Sequence, residues 1–363
     1  MNEYNFILQY FNQFPLIIKV VWITSVILMT NVFILIIYLR YLRNKLRVKS
    51  SLESKCQMYF ESSLITYLYS GNEEEDFSIE QKKIIKELKG VTSEAFKRKV
   101  LIATLLKLRN EITGEIADSI DKLYIELGLL QYPLSKLRHK KWDVIANAIR
   151  ELTLFQVKGI QSVVMKNINH PKKEVRKEMQ LYLVQLFTFK GLEFLNLLQT
   201  PLSEWDQIQL LEILQKSDDQ DITDIKPWLK STNESVVSFA LKLARLYNQY
   251  EVKDEIIALL NHKNELIRVN AIESLNHLNV LEAKVVLKSN FIETSLDEQI
   301  AFVKMLENTY ESSDKFFLLD YRNHENQEIK LIIMEIMKNL NFEEYYLYDT
   351  ELFEDITNKK TTA

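Results

Sequence analysis

Three short segments of this chain are close copies of one another. Asn169-His170-Pro171-Lys172-Lys173-Glu174-Val175-Arg176, Asn261-His262-Lys263-Asn264-Glu265-Leu266-Ile267-Arg268 and Asn323-His324-Glu325-Asn326-Gln327-Glu328-Ile329-Lys330 share one pattern. Each reads Asn-His, four residues, a β-branched apolar residue, then a base. Their starts lie 92 and 62 residues apart, near three and two units of about 31. An apolar residue that opens a helix recurs between them, at Val144, Val175, Ile208, Val236, Ile267, Ile300 and Ile329, at spacings of 31, 33, 28, 31, 33 and 29. Apolar residues follow four and eight positions on: Ala148 and Leu152, Met179 and Leu183, Ala240 and Ala244, Ala271 and Leu275, Ile333 and Met337. That spacing keeps them on one helix face. The units at Ile208 and Ile300 fit less well, with the next apolar residue three positions on, at Leu211 and Val303.

Shorter apolar stretches at 155–168, 192–198, 256–260 and 316–319 supply a first helix for each unit. One helix pair cannot bury its apolar face alone, so neighbours must stack, which predicts an α-solenoid. Six Gly and five Pro in 363 residues suit an all-α chain with short connections better than a many-stranded sheet.

Glu174-Val175-Arg176, Leu266-Ile267-Arg268-Val269-Asn270-Ala271 and Glu328-Ile329-Lys330 resemble the Glu-Val-Arg-x-x-Ala start of a second helix in the HEAT-repeat family, in the short form shared with phycobilisome-lyase-like proteins. The chain departs from that pattern in its turns, where Asn-His or Lys-Ser replaces the usual Asp-Pro, and at Val237 and Ala301, which replace the base. The resemblance covers about residues 140–340. It implies a HEAT-like, protein-binding solenoid and no chemistry; its lyase-like branch makes an enzyme with an unrecognised site the alternative. Gly114-Glu115, Leu123-Tyr124, Leu127-Gly128-Leu129 and Lys141-Trp142 are similar to the lead-in of bacterial membrane-anchored HEAT proteins. Some of those resemble partners of membrane glycosyltransferases, so this second resemblance implies such an enzyme as the partner.

Residues 16–39 read LIIKVVWITSVILMTNVFILIIYL, with one charge, Lys19, near the outer end. As a helix they span about 36 Å, enough for a hydrocarbon core of ~30 Å. The run is too long for a signal-peptide core and lacks a small-residue cleavage site. Arg40, Arg43, Lys45, Arg47 and Lys49 follow it, whereas only Glu3 is charged before it. The positive-inside rule then predicts a single-pass inner- or plasma-membrane protein whose C-terminal domain is cytoplasmic. Lys19 snorkels to the opposite interface, and Tyr4, Phe6, Tyr10, Phe11 and Phe14 suit the outer headgroup region. Asn31, inside the span, either bonds a neighbouring membrane helix or its own backbone. The basic flank is sufficient as a topology signal; attraction to anionic lipid is a second reading of it.

Apolar residues at Leu46, Leu52, Met58, Leu64, Ile65 and Leu68 carry a helix on from the span to a loop at 71–76, Gly-Asn-Glu-Glu-Glu-Asp. Further helices are expected over 78–88, ended by Gly90, over 95–109, capped by Ser93, and over 115–127, with Gly128 as the residue that closes it. The chain thus divides into an extracytoplasmic segment 1–15, a transmembrane helix 16–39, a basic juxtamembrane and stalk helix 40–70, a helical lead-in 71–140, the solenoid 141–340 and an acidic, aromatic segment 341–363. In that last segment residues 343–355 carry six acids and no base, among Tyr345, Tyr346, Tyr348, Leu352 and Phe353. It reads as a polar-faced cap, or else as a docking segment.

No constellation for chemistry is legible. His170, His262 and His324 share one slot of the repeat turn, so they are spread along an edge and read as structural. His139 and His277 are isolated, and no two histidines fall at i, i+4. The closest pair of well-separated glycines, Gly114 and Gly128, makes no phosphate loop. Cys56, the single cysteine, permits no internal disulfide. Residues 1–49 hold six bases and one acid; the remainder has 40 bases and 49 acids, a net of −9, which disfavours nucleic acid as a partner. The sequence therefore points to a membrane-anchored scaffold, not an enzyme, with no cofactor, no metal and no small-molecule substrate evident. Its partners are a protein, at the same membrane, and the lipid bilayer.

The repeat register makes a direct prediction. Ala271 occupies the small apolar slot of the clearest unit, where overpacking costs ~1–3 kcal/mol and a buried unpaired charge more. In fragment 50–363, Ala271→Glu is expected to abolish hydrogen-exchange protection most strongly around 236–309. Glu273→Ala is expected to change stability by about 0.5 kcal/mol or less. Equal, small effects of both would show that the register is wrong.

Overall fold

A computed structural model describes residues 15–70, 77–112, 114–217, 222 and 224–342, and of Glu115 the backbone alone. The N-terminal aromatic residues, the acidic loop 71–76 and the tail from 343 lie outside the described residues. Every regular element among the described residues is helical. The chain forms two compact units, residues 1–132 and 133–363.

The first unit begins with α1, Leu16–Tyr69, one unbroken helix of 54 residues that includes both the apolar run and the basic flank. By length and composition it can cross a membrane, and its most apolar stretch is wholly exposed. Pro15 precedes it, as suits a residue that sets φ for the first turn. Only Phe60, Leu64 and Tyr67 of α1 are buried. They pack where α1 meets α2 (Ile79–Thr92), α3 (Ala95–Glu111) and α4 (Glu115–Glu126). Leu46, Leu52, Met58 and Ile65 stay exposed.

Ser78 and Gln81 form a reciprocal capping box at the start of α2, and Gln81 also donates to the Tyr67 carbonyl at 3.0 Å, which ties α2 to the end of α1. Two sequence expectations fail nearby. Gly90 lies inside α2 rather than ending it, and Ser93 donates to the Gly90 carbonyl instead of capping α3, whose N-cap is Glu94. The turn between these helices is closed by a backbone bond from Glu94 to Val91, so no side-chain cap is needed there. Gly128 does close α4: its φ is +70°, and Leu129 and Gly128 donate back to Tyr124 and Ile125.

A short helix, α5 (Gln131–Lys136), leads into the second unit. There seven long helices recur: α6 (Trp142–Leu154), α8 (Lys173–Phe187), α9 (Glu204–Gln215), α11 (Glu234–Leu246), α13 (Glu265–His277), α15 (Leu296–Thr309) and α17 (Gln327–Asn339). Between them lie α7 (Gln161–Val164), α10 (Lys226–Leu229), α12 (Lys253–Ala258), α14 (Ala283–Asn290) and α16 (Lys315–Tyr321), plus a 3-10 run at Thr188–Leu197. These intervening helices are stunted relative to a full helix pair, and most continue into a 3-10 turn.

The N-caps of the long helices are Lys141, Lys172, Ser203, Asn233, Asn264, Ser295 and Asn326. They lie 31, 31, 30, 31, 31 and 31 residues apart, a tighter period than the sequence reading gave. The difference arises at two units. Ile208 and Ile300 do not occupy the slot three residues after the N-cap; Asp206 and Glu298 do. In those units a serine caps the helix and an acidic residue follows three positions on, so a polar capping pair stands where the other units show an apolar residue. Ile208 is exposed as a result.

In the corrected register every unit buries the same two slots. Seven residues past the N-cap come Ala148, Met179, Leu210, Ala240, Ala271, Phe302 and Ile333; four further on come Leu152, Leu183, Leu214, Ala244, Leu275, Leu306 and Met337. All are buried. Consecutive long helices pack through this face, α6 on α8, α8 on α9, α11 on α13, α13 on α15 and α15 on α17. Between α9 and α11, Ser235 accepts from the Leu202 amide at 2.8 Å and Lys242 donates to Gln207 at 2.8 Å. Four long helices end on a left-handed residue, Gln156, Asn248, Asn279 or Asn341, with the next amide bonding back five residues to close the helix.

The unit around α8 departs from this. Thr188 follows α8 at φ +49°, and the chain returns over it so closely that a Cβ on Gly191 would lie 2.2 Å from the Leu183 carbonyl oxygen. Only a glycine fits such a backbone approach. Gly191→Ala is therefore expected to destabilise the protein by about 1–3 kcal/mol, read as a lower urea midpoint. An unchanged midpoint would show that the contact relaxes without cost.

Candidate interaction surfaces

The residues that the sequence singled out fall into two separate places. Lys19, Arg40, Arg43, Lys45, Arg47 and Lys49 all lie on α1. Lys19 is half-buried and the five residues of the flank are exposed. None of those five has an ion-pair partner among the described residues. Asn31 donates to the Ile27 carbonyl at 2.8 Å, within its own helix. Thr24 and Thr30 do likewise.

His170, His262 and His324 lie in the turns that precede α8, α13 and α17. In each, the ring Nδ1 accepts the backbone N–H of the N-cap residue two positions on: Lys172 at 3.1 Å, Asn264 at 3.0 Å and Asn326 at 3.0 Å. His139, read from the sequence as isolated, does the same for Lys141 at 3.0 Å. It belongs to the series, one repeat before His170. Ser231 fills the slot before α11, accepting from Asn233 at 3.1 Å. The sequence signal for His139 was its spacing of 31 from His170, hidden because Arg138 precedes it where the other three turns have an asparagine. Accepting from an N-cap amide satisfies a donor that the turn would otherwise leave open. His277 is elsewhere, 3.2 Å from the Asn248 side chain.

The turns are also braced by arginine. Arg176 donates to the His170 carbonyl at 2.7 Å, and Arg268 to that of His262 at 2.8 Å. Arg268 then reaches into the next repeat, donating to both carboxylate oxygens of Glu298 at 2.7 and 2.9 Å. Burial pushes the Glu298 carboxyl up, but the hydrogen bonds from Arg268 and Ser295 outweigh it and hold it below its ordinary value.

A second buried ion cluster was not legible in the sequence. Lys284 Nζ donates to the Thr309 carbonyl at 2.8 Å, to Glu311 at 2.7 Å and to Asp314 at 2.9 Å; Lys288 caps the other oxygen of Asp314. Lys284 and Asp314 are both buried. Burial acts to raise the Asp314 carboxyl, and is outweighed by hydrogen bonds from Lys288, the Glu311 backbone and Lys284, so the group is held below its usual range. A lysine on a short helix reads as solvated, and the only sequence clue is that Asp314 lies one repeat, 30 residues, further on.

The exposed face of the long helices carries apolar side chains. Trp205 is 68% exposed, Ile208 52%, Leu266 60% and Leu331 67%. Trp205 and Leu266 stand two residues past their N-caps, Ile208 and Leu331 five past theirs, so they share one side of the helices. An open groove of about 820 Å³ lies between the turns around Leu197 and Thr232. Two of its asparagines are spent on structure: Asn233 donates to the Leu198 and Thr200 carbonyls, and Asn196 accepts from Trp228. Its one acid, Glu234, accepts from Asn264 at 2.7 Å. Among the described residues no three His, Cys, Asp or Glu converge as a metal site.

No family model and no curated protein matches the chain. Among solved structures it is similar to an engineered protein at 15% identity, over 78% of this chain and 88% of that one, with a TM-score of 0.34. It is similar to human deoxyhypusine hydroxylase in complex with glycerol at 11% identity, over 80% and 97%, with a TM-score of 0.30. A second engineered protein is 12% identical over 71% and 96%, at 0.23. At these values the likeness says nothing of chemistry or partners. By its own geometry the chain is an all-helical, repeat-like protein with one long apolar helix.

The Asp314 cluster sets a pH dependence. A carboxyl held below its unfolded value stabilises the fold above the ordinary carboxylate range, about pH 4, and loses that contribution as pH falls through the folded value. Asp314→Asn is expected to lower stability by ~3 kcal/mol at pH 7, because Lys284 is left under-compensated. It is also expected to flatten the loss between pH 4 and lower pH. Urea titrations at pH 7 and pH 3.5 measure both; parallel curves for the two proteins would show that the cluster does not titrate with folding.

Proposed function

We propose that this chain is a single-pass membrane protein whose repeats form a HEAT-like α-solenoid in the cytoplasm and hold a protein partner at the same membrane. The observation that supports this best is the pairing of one exposed apolar helix with a repeat of 30 or 31 residues. Stacked repeats make long, regular contact surfaces. The exposed stripe of Trp205, Ile208, Leu266 and Leu331 is the part of that surface fitted to an apolar partner face, since tryptophan and large aliphatic side chains anchor interfaces. A membrane anchor raises the effective concentration of any partner confined to the same bilayer. The lead-in resemblance favours a membrane glycosyltransferase as that partner.

The orientation follows from the five exposed bases after residue 39. Two measurements test the reading. A reporter that is active only outside the cytoplasm, fused after Ala363, is expected to stay silent; strong activity would reverse the orientation and remove the cytoplasmic scaffold. Photo-crosslinkers placed at Trp205, Leu266 and Leu331 in the membrane-bound chain are expected to yield one shared adduct. Adducts only from control positions off this face would sink the proposed surface.

A further inference from the structure

The net charge of the repeat unit conceals a strong asymmetry. Residues 133–190 carry twelve Lys and Arg against four Asp and Glu, a net of +8. Residues 191–342 carry fifteen against twenty-five, a net of −10. The asymmetry is sharpest at the turns. Over the seven positions from five before to one after each N-cap, the first turn holds Lys136, Arg138, Lys140 and Lys141, and the second holds Lys172 and Lys173. Neither holds an acid at these positions, the nearest being Asp143 and Glu174, one residue further on in each helix. In each of the other five turns the same positions hold one acid and at most one base.

These six cations are exposed, and none has an ion-pair partner among the described residues. The two turns have the same construction, His139 and His170 each bonding an N-cap amide, and the helices they open, α6 and α8, pack on each other. The cations therefore share one edge, beside Trp142, which is 41% exposed. Arg150 of α6 pairs with Glu178 of α8 and fixes the two helices together. Unpaired like charges held together on neighbouring turns repel one another, and an anionic partner relieves that repulsion.

We infer that this basic edge is the docking site for the acidic, aromatic segment 343–355 of a second copy of the chain. The segment offers six carboxylates and no base, with Tyr345, Tyr346, Tyr348 and Phe353 among them. Carboxylates match the lysines and Arg138, and tyrosine rings match both the cations and the Trp142 face. Reach decides between the same chain and another. The segment starts after Phe342, at the far end of the repeats from the edge. Helices packed at 8–10 Å put the first two turns about 40–60 Å from the last repeat. A stretched chain of 13 residues reaches at most ~45 Å, and its middle about half that. Only its last acids, Glu354 and Asp355, could touch the nearer turn of their own chain, and only fully stretched, so a contact that engages both turns is made in trans. The inference does not depend on the membrane reading, because the charges and the reach are the same in detergent.

The test uses the full chain in detergent. One variant carries Lys136→Glu, Lys140→Glu and Lys172→Glu, all at exposed positions. The other carries Glu343→Gln, Glu344→Gln, Asp349→Asn, Glu351→Gln, Glu354→Gln and Asp355→Asn. Sedimentation velocity is expected to show concentration-dependent self-association of the native chain. Either variant should weaken it by about tenfold or more, the two combined should add little, and raising salt from about 50 to 300 mM should weaken the native contact alone. A labelled synthetic peptide of residues 343–355 should bind the tail-neutralised chain and lose that binding in the combined variant. Circular dichroism of the variants confirms that the fold is kept. Association untouched by the edge substitutions, or absence of peptide binding, overturns the inference. So does retained association in an edge variant that no longer binds phosphatidylserine carried in mixed detergent micelles or a single-stranded oligonucleotide, which would assign the edge to a lipid surface or to nucleic acid.

Discussion

The start of each long helix is the constraint on which the repeat unit depends. A helix leaves its first amides without partners inside the helix, and here those starts lie in tight turns where the chain reverses. The molecule solves this at nearly constant intervals with side chains. At three starts a histidine or Ser231 accepts the N-cap amide and the N-cap asparagine accepts from the first helical turn. At two a histidine accepts the amide of an N-cap lysine. At the other two a serine caps the helix. Because each start is fixed, the buried slots seven and eleven residues on fall at the same height in every unit, and neighbouring helices meet face to face. Arg176 and Arg268 brace the turns that precede their own helices, and Arg268 goes on to tie its turn to the next through Glu298.

Much of this was legible in the sequence because periodic burial leaves a periodic residue pattern. Val175, Ile267 and Ile329 and the apolar residues after them were enough to give the period and the all-helical class. The two mis-registered units show what the pattern cannot carry. At Ser203 and Ser295 the chain uses a capping acid, Asp206 or Glu298, in a slot otherwise apolar, and a search for apolar residues slides to Ile208 and Ile300. His139 was missed for the opposite reason: its role is a single hydrogen bond, which any acceptor of similar reach can supply, as Ser231 does. The cluster of Lys284, Asp314 and Glu311 depends on residues brought together across a repeat, and local periodicity has no term for that. Gly90 and Ser93, both good punctuation in isolation, were overridden by the packing of α2 against α3.

The surfaces were less legible than the core, because solvent-exposed positions are free to vary within a repeat. What distinguishes one repeat from another is there: apolar side chains at Trp205, Leu266 and Leu331, and a run of lysines confined to the first two turns. A repeat architecture separates these tasks. The buried slots specify how units join, and the exposed slots carry whatever recognition the chain performs without disturbing that joining.

The long first helix has one further consequence. Between residue 40 and Phe60, α1 runs about 30 Å with no buried side chain. A helix of that length with no packing partner is marginal in water by itself. It persists here because it does not have to nucleate: the apolar stretch continues into it from one side, and Phe60, Leu64 and Tyr67 hold it from the other. Its stiffness is thus borrowed from its ends. Loosening either end would leave the segment much of its reach and take away its direction, so the packing of three residues governs the aim of everything the helix carries.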